Sequence, residues 1–497
     1  MTARIILLTP ARRFIGNRLD LGYQIPLGLV MVGGPLVDAG HAVKLIDNDL
    51  NGWSLERLAQ EISAFNADMI LMGHTGSTAA HTTCLKTATA LRVLFPNVRI
   101  AYGGVYPSYA DEATLRECAA IDVIVRGEAE QVVVDLIAAW ENDADLGKVL
   151  GITWRKGAVI QKNRAPRPIQ NLDAYRPAWE LVDWKGYEMF GLGRSAGMQF
   201  SRGCTLTCTY CGQWLFWKTW RHRSPQNFVN EIKTLANEYG VKIIWLADEN
   251  FSADPNVTRE VLELLVAAKL DVSINLNTTA ANVVRDAEML PLYKAAGVDY
   301  IVMGVESLED NVVAAVRKNN PYEISRAAVR LLREHKIISL VDIIFGLEQE
   351  NWKTLWRKFQ KICALDPDIL NCVYLTPHFW TADGRATNPR DVIQTDLARW
   401  TYRNQVIATP SLSPALLFTG VKLTEGLFHL RPRALPRLFV GSDARVRKIF
   451  RESMLVGVRV VLGEIFEFLF ETEFSPRGSV TEINSVARKS FAHSILP

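Results

Sequence analysis

The sequence is poor in three features that would narrow its class at once: cysteine, long apolar runs and an excess of one charge. Seven cysteines in 497 residues are too few and too scattered for a secreted, disulfide-bonded framework. Charges interrupt the apolar stretches before they reach the roughly 20 residues that a membrane span needs. With 56 basic and 53 acidic residues, no electrostatic footprint for nucleic acid is expected.

A secretory signal is also lacking, since "MTARIILLTP" holds one short apolar run after a single arginine and is typical of a first strand. We therefore expect a cytoplasmic protein that binds no nucleic acid. At this length, two or three domains are expected.

Short runs rich in Val, Ile and Leu alternate with helix-like stretches through residues 1–145. Such a pattern predicts a doubly wound, Rossmann-like parallel sheet, which binds ligands at the carboxyl ends of its strands. Glycines and small hydroxyl residues stand at those ends, either to admit a bulky ligand or simply as turn residues. The strand candidates are 4–10, 41–47, 67–74, 98–104 and 121–127.

Residues 146–195 are rich in Pro and charge and predict a linker. Strand and helix alternation then resumes over 196–385, which predicts a partial (β/α)6 barrel with its site at the carboxyl ends of the strands. The six strand candidates are 197–201, 243–248, 272–278, 300–307, 339–347 and 370–377.

The tail, 386–497, predicts an apolar helical region interleaved with arginine. The structural interpretation is a cap packed on the barrel. The functional interpretation is contact with the inner face of a membrane that holds an apolar substrate.

Three of the seven cysteines, Cys204, Cys208 and Cys211, lie within "QFSRGCTLTCTYCGQW" (199–214). Structural zinc needs four protein ligands, and the nearest further candidate is His222. Three thiolates on a 4Fe–4S cluster instead leave one iron open for a substrate or cofactor. The CxxxCxxC spacing, with Tyr210 before the third cysteine, resembles the signature of the radical S-adenosylmethionine (SAM) superfamily.

That resemblance implies an enzyme whose reduced cluster cleaves SAM to methionine and a 5′-deoxyadenosyl radical, with electrons from a flavodoxin- or ferredoxin-type reductant. Asp248 and Glu249 in "LADEN", and Glu306 in "GVES", would grip SAM, unless they are turn and helix-terminal residues. The strand "DIIFGLE" (342–348) with Gly346 would cradle adenine. Tyr210 completes the implied SAM site.

A doubly wound domain ahead of such a barrel resembles the cobalamin-binding members of the superfamily. Their Asp-x-His-x-x-Gly motif is absent from "ARRFIGNRLDLGYQ" (11–24), so no cobalt-ligating histidine is expected there. His74 is either a ligand or an ordinary hydrogen-bonding residue. The resemblance implies that cobalamin is bound by Thr9, Gly73, His74, Thr75, Ser77, Gly103, Gly104, Gly127 and Glu128.

Within this group "CGQWLFWKTWRHRSP" (211–225), "WLADENF" and "RGEAE" resemble the branch of the anaerobic Mg-protoporphyrin IX monomethyl ester cyclase and the hopanoid C-methylases. Trp214, Trp217 and Trp220 would line a large apolar, polycyclic substrate, or else fill a core. The chain lacks the glycine- and proline-rich opening associated with the cyclase.

The leading hypothesis is therefore C-methylation of an unactivated carbon on a hopanoid-like substrate, as in hopanoid C-3 methylation. The alternative is oxidative ring closure on a Mg-porphyrin. A non-enzymatic cobalamin sensor would need no open-iron cluster, so the cysteine motif disfavours it.

Overall fold

The structure, a computed structural model, describes residues 2–12, 24–74, 78–440 and 443–482. Within those ranges the chain forms two seven-stranded sheets and a largely helical C-terminal region. The first sheet has the order β2-β1-β3-β4-β5-β6-β7. Its strands are β1 (Arg4–Thr9), β2 (Ala42–Asp47), β3 (Met69–Met72), β4 (Arg99–Gly103), β5 (Val123–Val125), β6 (Ile152–Lys156) and β7 (Val159–Lys162).

Strands β1 to β5 pair in parallel, and helices cover both faces of the sheet. In β1, Ile5 and Leu7 pack into one core while Ile6 and Leu8 pack into the other, which is why the strand is apolar throughout. The predicted doubly wound domain is confirmed. Its helices are α1 (Leu27–Asp38), α2 (Asn48–Asn51), α3 (Leu55–Phe65), α4 (His81–Leu94), α5 (Val105–Tyr109), α6 (Asp111–Glu117) and α7 (Glu130–Glu141).

The stretch predicted to be a linker, 146–195, differs from the structure over residues 152–162. There β6 and β7 form an antiparallel hairpin that continues the first sheet beyond β5. The hairpin turns at Gly157, whose φ of 60° is readily adopted by glycine. The charged residues of "ITWRKGAVIQK" thus belong to the last two strands of the sheet, of which β7 is the edge strand, rather than to a connecting segment.

The second sheet has the order β16-β15-β14-β13-β12-β9-β8. Its six parallel strands are β9, β12, β13, β14, β15 and β16. The partial (β/α)6 barrel is confirmed. A separate two-stranded ladder joins β10 to β11. The strands are β8 (Glu188–Met189), β9 (Gly193–Met198), β10 (Ser201–Arg202), β11 (Arg221–His222), β12 (Ile243–Leu246), β13 (Ser273–Asn277), β14 (Val298–Glu306), β15 (Ile338–Phe345) and β16 (Ile369–Tyr374).

Helices follow the barrel strands and bury their apolar faces on the sheet. Four of the eight begin with a side-chain cap, from Ser224, Asp254, Thr279 and Asn351. The helices are α8 (Gln213–Trp217), α9 (Pro225–Asn237), α10 (Pro255–Ala268), α11 (Ala280–Arg285), α12 (Leu290–Ala295), α13 (Asp310–Ala315), α14 (Tyr322–Glu334) and α15 (Trp352–Leu365).

The C-terminal region contains α16 (Ala382–Ala386), α17 (Pro414–His429) and α18 (Ala444–Phe470). Val446, Ile449 and Phe450 of α18 pack among residues at the amino ends of the barrel strands, such as Ile243 and Ile338. Helix α17 packs on α15 and on β16, the last strand of the sheet. The region therefore closes the bottom and the open side of the barrel.

Strand β16 is an edge strand, yet its outward backbone groups are paired. The Cys372 carbonyl oxygen accepts a hydrogen bond from Arg403 Nη1 at 2.9 Å. Alternate amides of the strand donate to acceptors in the C-terminal region: Leu370 to His429 Nε2, Cys372 to Glu425 Oε1 and Tyr374 to the Tyr402 carbonyl oxygen. Side chains and a loop thus replace the missing neighbouring strand.

Candidate active site

The cysteine-bearing loop, residues 203–220, is closed at its base by the β10–β11 ladder, in which Arg202 pairs with Arg221. Gly203 adopts a φ of 92°, and a Cβ on it would overlap the Thr219 carbonyl group. The crossing of the two chain segments therefore requires glycine. Inside the loop, the Trp214 indole N–H donates to the Cys208 carbonyl oxygen at 3.1 Å.

The structure brings Cys204, Cys208 and Cys211 into this one loop as free thiols. Burial raises the pKa of all three thiols, and the charge of Lys318 opposes that rise in each case. Bound iron would stabilise the thiolates against this burial. Among the described residues, no three His, Cys, Asp or Glu side chains form a site for a single metal ion. A cubane does not need one, because each thiolate binds a different iron.

Trp380, in the loop after β16, covers the cysteine loop. A Cβ on Gly212 would overlap the Trp380 indole nitrogen, so the residue after Cys211 must be glycine for this contact. The same indole stacks on Tyr109 of the first domain, with ring centroids 5.1 Å apart and planes 5° apart. The cluster loop therefore lies where the two sheets meet.

Asp248 follows β12 and is fully buried. Its carboxylate accepts hydrogen bonds from the Phe200 amide at 2.9 Å and from the Ser201 amide at 2.6 Å. Burial nevertheless raises the pKa of Asp248 to about 6. These bonds attach the end of β12 to the start of the cysteine loop, and the role of Asp248 in binding SAM stays a prediction.

Glu249 is half-buried beside the cysteine loop. Burial, followed by the neighbouring charge of Asp248, raises the pKa of Glu249 to about 7. A carboxylate that is costly to ionise alone gains from a bound cation. Glu249 is therefore better suited than Asp248 to accept the ammonium group of SAM, and this role stays a prediction.

Glu306 ends β14 in the left-handed region, with a φ of 69°, at a register shift against β15. Its carboxylate binds Lys318 Nζ at 2.9 Å, and both side chains are almost completely buried. The pair folds back over Gly304, where any Cβ would overlap the Glu306 carboxylate. Strained backbone of this kind occurs mainly at functional sites.

Tyr210 lies beside this pair. Burial and then the charge of Glu306 hold the pKa of Tyr210 well above its usual range. The structure thus brings together Tyr210, Glu306, Lys318 and the cysteines at the carboxyl edge of the barrel. The sequence analysis missed Lys318, which has no distinguishing pattern around it.

Gly346 directly follows β15 with a φ of 95°, and its amide donates to Glu350 Oε2 at 2.9 Å. Its contact with adenine stays a prediction. Within β15 the sequence analysis also missed Asp342, whose pKa is raised to about 7 by burial and by the charge of Glu306. Asn371 donates to it at 2.8 Å. The sequence offers one signal for Asp342, since it is a lone aspartate inside the apolar run "SLVDIIFGL".

The residues predicted to bind cobalamin lie at the carboxyl edge of the first sheet, except Thr75 and Ser77, which fall outside the described residues, as does most of the loop after β1. Thr9 ends β1, and its buried hydroxyl has no hydrogen-bond partner among the described residues. Gly73 follows β3, and Gly103 ends β4. Gly104 and Gly127 have φ values of 125° and 74° and open space where a Cβ would stand. This edge can accept a bulky group against its backbone.

His74 is buried at the same edge. Burial, followed by the charge of Arg12, lowers the pKa of His74 to about 4, so the imidazole is neutral at pH 7. Its Nε2 lies 3.8 Å from Asp49 Oδ2. Cobalt ligation by His74 stays an open alternative.

Glu128, predicted to bind cobalamin, makes ion pairs with the barrel, and its contact with cobalamin stays a prediction. One of its oxygens lies 2.6 Å from Arg221 Nη2 and the other 3.0 Å from Arg202 Nη1, while Glu130 also pairs with Arg202. Both oxygens of Glu128 are thus occupied by the barrel. These four buried side chains, which we call the interdomain clamp, join the first sheet to the base of the cysteine loop.

A second buried contact joins the domains through His378. Its Nδ1 lies 2.8 Å from Thr78 Oγ1 of the first domain, and its Nε2 lies 2.7 Å from the Tyr402 hydroxyl. Burial lowers the pKa of His378 to about 4, which keeps the ring neutral. Together with the clamp, this contact makes the carboxyl edges of the two sheets face each other.

The three tryptophans predicted to line the substrate site are all half-buried. Trp214 holds the cysteine loop, and Trp217 lies 5.1 Å from the Arg202 guanidinium. Trp220 stands beside His222, and its buried indole nitrogen has no hydrogen-bond partner in the part of the chain that the structure describes. Two of the three therefore have structural contacts, and substrate lining stays a prediction.

Known families match both parts of the chain. Residues 198–362 match the radical SAM superfamily, and residues 21–137 match the B12 binding domain. The chain is 38% identical over 94% of its length and 94% of the relative's to the anaerobic magnesium-protoporphyrin IX monomethyl ester cyclase of Synechocystis sp.. The hopanoid C-3 methylase of Methylococcus capsulatus is 23% identical over 74% of this chain and 70% of its own.

Among solved structures, the fold resembles the radical SAM methyltransferase TsrM from Kitasatospora setae, with tryptophan substrate and an SAM analogue bound. The TM-score is 0.68 at 16% identity, over 93% of this chain and 96% of that one. At that identity the likeness concerns the fold alone. It extends across the first domain, the barrel and the C-terminal region.

Proposed function

The chain belongs to the cobalamin-binding branch of the radical SAM family, and on that premise we propose that it catalyses anaerobic oxidative ring closure on a Mg-porphyrin monomethyl ester. As an enzyme of this family it uses a 4Fe–4S cluster, SAM and cobalamin. The cluster, once reduced, supplies the electron that cleaves SAM to methionine and a 5′-deoxyadenosyl radical.

The observation that carries the proposal is the 38% identity to a cyclase along 94% of both chains. The hopanoid methylase, favoured from the sequence alone, matches less of the chain at lower identity. Ring closure on a Mg-porphyrin therefore replaces hopanoid methylation as the leading hypothesis. The absence of a glycine- and proline-rich segment near residue 1 counts little against the cyclase, because a terminal segment is the part of a domain most tolerant of change.

Aromatic side chains around the cysteine loop support a flat substrate. Trp220 is half-buried at the end of this loop, and an aromatic face of this kind suits a planar macrocycle. Trp380 is instead a buried support for the loop, because it stacks on both Tyr109 and His378. Trp214 and Trp217 complete an aromatic wall around the loop. We assign these residues to the binding of a large apolar small molecule.

Residues at the barrel edge would perform the binding and orientation of SAM. Cys204, Cys208 and Cys211 would hold the cluster. Glu249 would accept the SAM ammonium group, while the buried Glu306–Lys318 pair fixes the end of β14 next to it. A flavodoxin- or ferredoxin-type reductant in the cytoplasm would supply the electron.

Methylation of a hopanoid carbon is the second candidate. The similarity to the hopanoid C-3 methylase over 74% of the chain favours it. The two reactions differ in the fate of SAM. A cobalamin-dependent methylase consumes two SAM molecules, giving S-adenosylhomocysteine and 5′-deoxyadenosine in about equal amounts, whereas the cyclase needs only the radical.

The test uses anaerobically reconstituted full-length protein with SAM, a reductant and either Mg-protoporphyrin IX monomethyl ester or hopanoids. We expect 5′-deoxyadenosine and a ring-closed porphyrin, with S-adenosylhomocysteine at background. The Cys208→Ala variant serves as the control without radical formation. Label transferred from methyl-labelled SAM to a hopanoid, with equal amounts of both SAM products, would favour the second candidate instead.

A further inference from the structure

Exposed apolar side chains are concentrated in the C-terminal region. Of the 21 large hydrophobic side chains exposed among the described residues, 13 lie between Leu416 and Phe470. Isolated exposed hydrophobic residues are normal, but a contiguous set marks a surface that is covered in use. This clustering of exposed apolar side chains therefore indicates a surface that binds a ligand or partner.

The exposed residues form one stripe on each of two helices. On α18, Leu455, Val458, Leu462, Phe466 and Leu469 recur at intervals of three and four residues, which places them on one side of the helix. Phe466 and Leu469 are 49% and 65% exposed. The stripe therefore continues to the end of the helix.

Helix α17 carries the matching stripe of Leu416, Leu423 and Leu427, which Leu430 continues directly after the helix. The two helices are antiparallel neighbours, because Phe418 stacks on Phe468 at 4.1 Å and Lys422 binds Glu464 at 2.5 Å. We call the two stripes, together with the exposed Leu435, Phe439 and Val440 between the helices, the outer face.

Charges are distributed unequally across this pair of helices. The carboxylates Glu425, Glu464 and Glu467 are buried on the inner side, where Lys422, Arg403 and Arg399 neutralise them. Exposed arginines remain on the outer side. Arg433, Arg451 and Arg459 are exposed and make no ion pair within the part of the chain that the structure describes. The outer face is thus apolar and positively charged.

We propose that the outer face docks on an anionic lipid bilayer, with α17 and α18 lying in the plane of its surface. Leucine and phenylalanine side chains would enter the acyl region while the arginines bind lipid headgroups, the pattern of an interfacial amphipathic helix. Among the described residues, no helix is long and apolar enough to cross a bilayer. The contact is therefore peripheral.

Two exposed tryptophans at the border of the outer face support a lipid bilayer as its partner. Trp352 and Trp356 on α15 are 48% and 58% exposed, and Trp352 lies against Gly420 of α17. Indoles favour the level of lipid headgroups, because one edge of the ring is polar and its body is apolar.

A second copy of the chain fits the outer face less well than a bilayer does. A two-fold dimer apposes the same patch on both copies, so the unpaired arginines of one copy would be brought toward those of the other. An anionic bilayer presents the opposite charge across its whole surface. Charge complementarity therefore favours lipid.

The test is co-sedimentation of anaerobically reconstituted full-length protein with vesicles of phosphatidylcholine alone or with about one third phosphatidylglycerol. The apolar variant combines Leu423→Gln, Leu427→Gln, Leu462→Gln and Phe466→Gln, and the charge variant combines Arg451→Gln and Arg459→Gln. The matched control, Val93→Gln with Val159→Gln, alters side chains that are 74% and 62% exposed elsewhere.

Wild type and control should bind anionic vesicles and bind neutral ones at least about tenfold more weakly. The apolar variant should lose binding to both, and the charge variant should lose about fivefold or more per arginine on anionic vesicles. Circular dichroism and 5′-deoxyadenosine formation should stay at wild-type levels, which separates lost docking from misfolding. Equal binding by wild type and the apolar variant, or a dimer in light scattering that the apolar variant dissolves, would overturn the proposal.

Discussion

The carboxyl edges of the two parallel sheets face each other, but the surfaces that they offer to the two expected cofactors differ chemically. The edge of the first sheet presents Gly104 and Gly127 with open space and a histidine whose lowered pKa keeps it neutral. The edge of the barrel presents buried charge, in Glu249, Glu306 and Lys318. The same topology therefore serves two ligands with different requirements.

The difference follows from what each ligand brings with it. Cobalamin is bulky and carries its own polar groups, so the protein must leave room near the backbone. The amino acid part of SAM is small and charged, so a site that removes it from water must supply opposite charges in fixed positions. Small residues near the backbone meet the requirement of cobalamin, and buried ion pairs meet that of SAM.

The largest effect is expected for the three cluster cysteines at the edge of the barrel. Cys204→Ala, Cys208→Ala and Cys211→Ala should each abolish 5′-deoxyadenosine formation, because the loss of one thiolate destabilises the cluster. Cys118→Ala is the matched control: a buried cysteine outside the loop, whose loss should cost only about 1–3 kcal/mol in stability. Full SAM cleavage by a reconstituted loop variant would remove the basis for the assignment.

The interdomain clamp tests whether the two edges depend on each other. Glu128→Ala leaves Arg202 and Arg221 buried without their shared partner, and should lower the free energy of unfolding by about 3–5 kcal/mol. Thermal and urea unfolding under anaerobic conditions measure it. Glu112→Ala removes an exposed pair with Arg116 and should change stability by less than about 0.5 kcal/mol. Equal effects of the two substitutions would mean that the clamp contributes no more than a surface pair.

The pH dependence of stability tests the barrel edge alone, without SAM. The folded protein keeps the Asp342 proton up to about pH 7, whereas the unfolded chain releases it near pH 4. This group's contribution to stability therefore falls as pH rises from about 4 to 7 and stays low above that. Asp342→Asn should be about 1–2 kcal/mol more stable than wild type at pH 8 and equal to it near pH 4.

Asp366→Asn provides the comparison of opposite sign. Burial alone would raise the Asp366 pKa, but hydrogen bonds from Arg437 and Arg431 lower it below its usual range. This substitution should therefore destabilise the protein at pH 8, and the difference should shrink as the pH falls below 4. If both variants shift stability in the same direction at pH 8, the electrostatic account of Asp342 is wrong.

The last comparison tests the glycines at the edge of the first sheet. Gly157→Ala places a methyl group at a φ of 60° and should cost about 1 kcal/mol in stability, whereas Gly104, at φ 125° and ψ −173°, lies in a region essentially restricted to glycine, and Gly104→Ala should cost about 1–3 kcal/mol. Only Gly104 lies where cobalamin is expected, so only its variant should also weaken cobalamin binding in an equilibrium titration. Unchanged binding by Gly104→Ala would place the cofactor elsewhere on the domain.

The sequence was sufficient for most of the fold because its signals are local. Runs of Val, Ile and Leu marked β1 to β5 and five of the six barrel strands, and the spacing of Cys204, Cys208 and Cys211 marked the cluster loop. The first barrel strand, β9, has no such run and begins four residues before its predicted span. The hairpin at 152–162 was missed because its charged residues resemble a linker. In an edge strand such residues are normal.

The missed parts of the site depend on pairs that are distant in the chain. Glu128 meets Arg221 across 93 residues, and Thr78 meets His378 across 300. Nothing in the sequence next to Glu128 distinguishes an ion pair with the barrel from contact with a cofactor. Such partners become known only when the two sheets are placed face to face.

The pairing of the β16 edge limits how this chain can be shortened or diversified. If the chain ended near residue 386, the amides of Leu370, Cys372 and Tyr374 would lose their acceptors and offer a free template to strands of other molecules. A truncated product would then aggregate before any loss of catalysis could be seen. This pairing places no demand on the outer side of α17, whereas Glu425 and His429 on its inner side must remain hydrogen-bond acceptors.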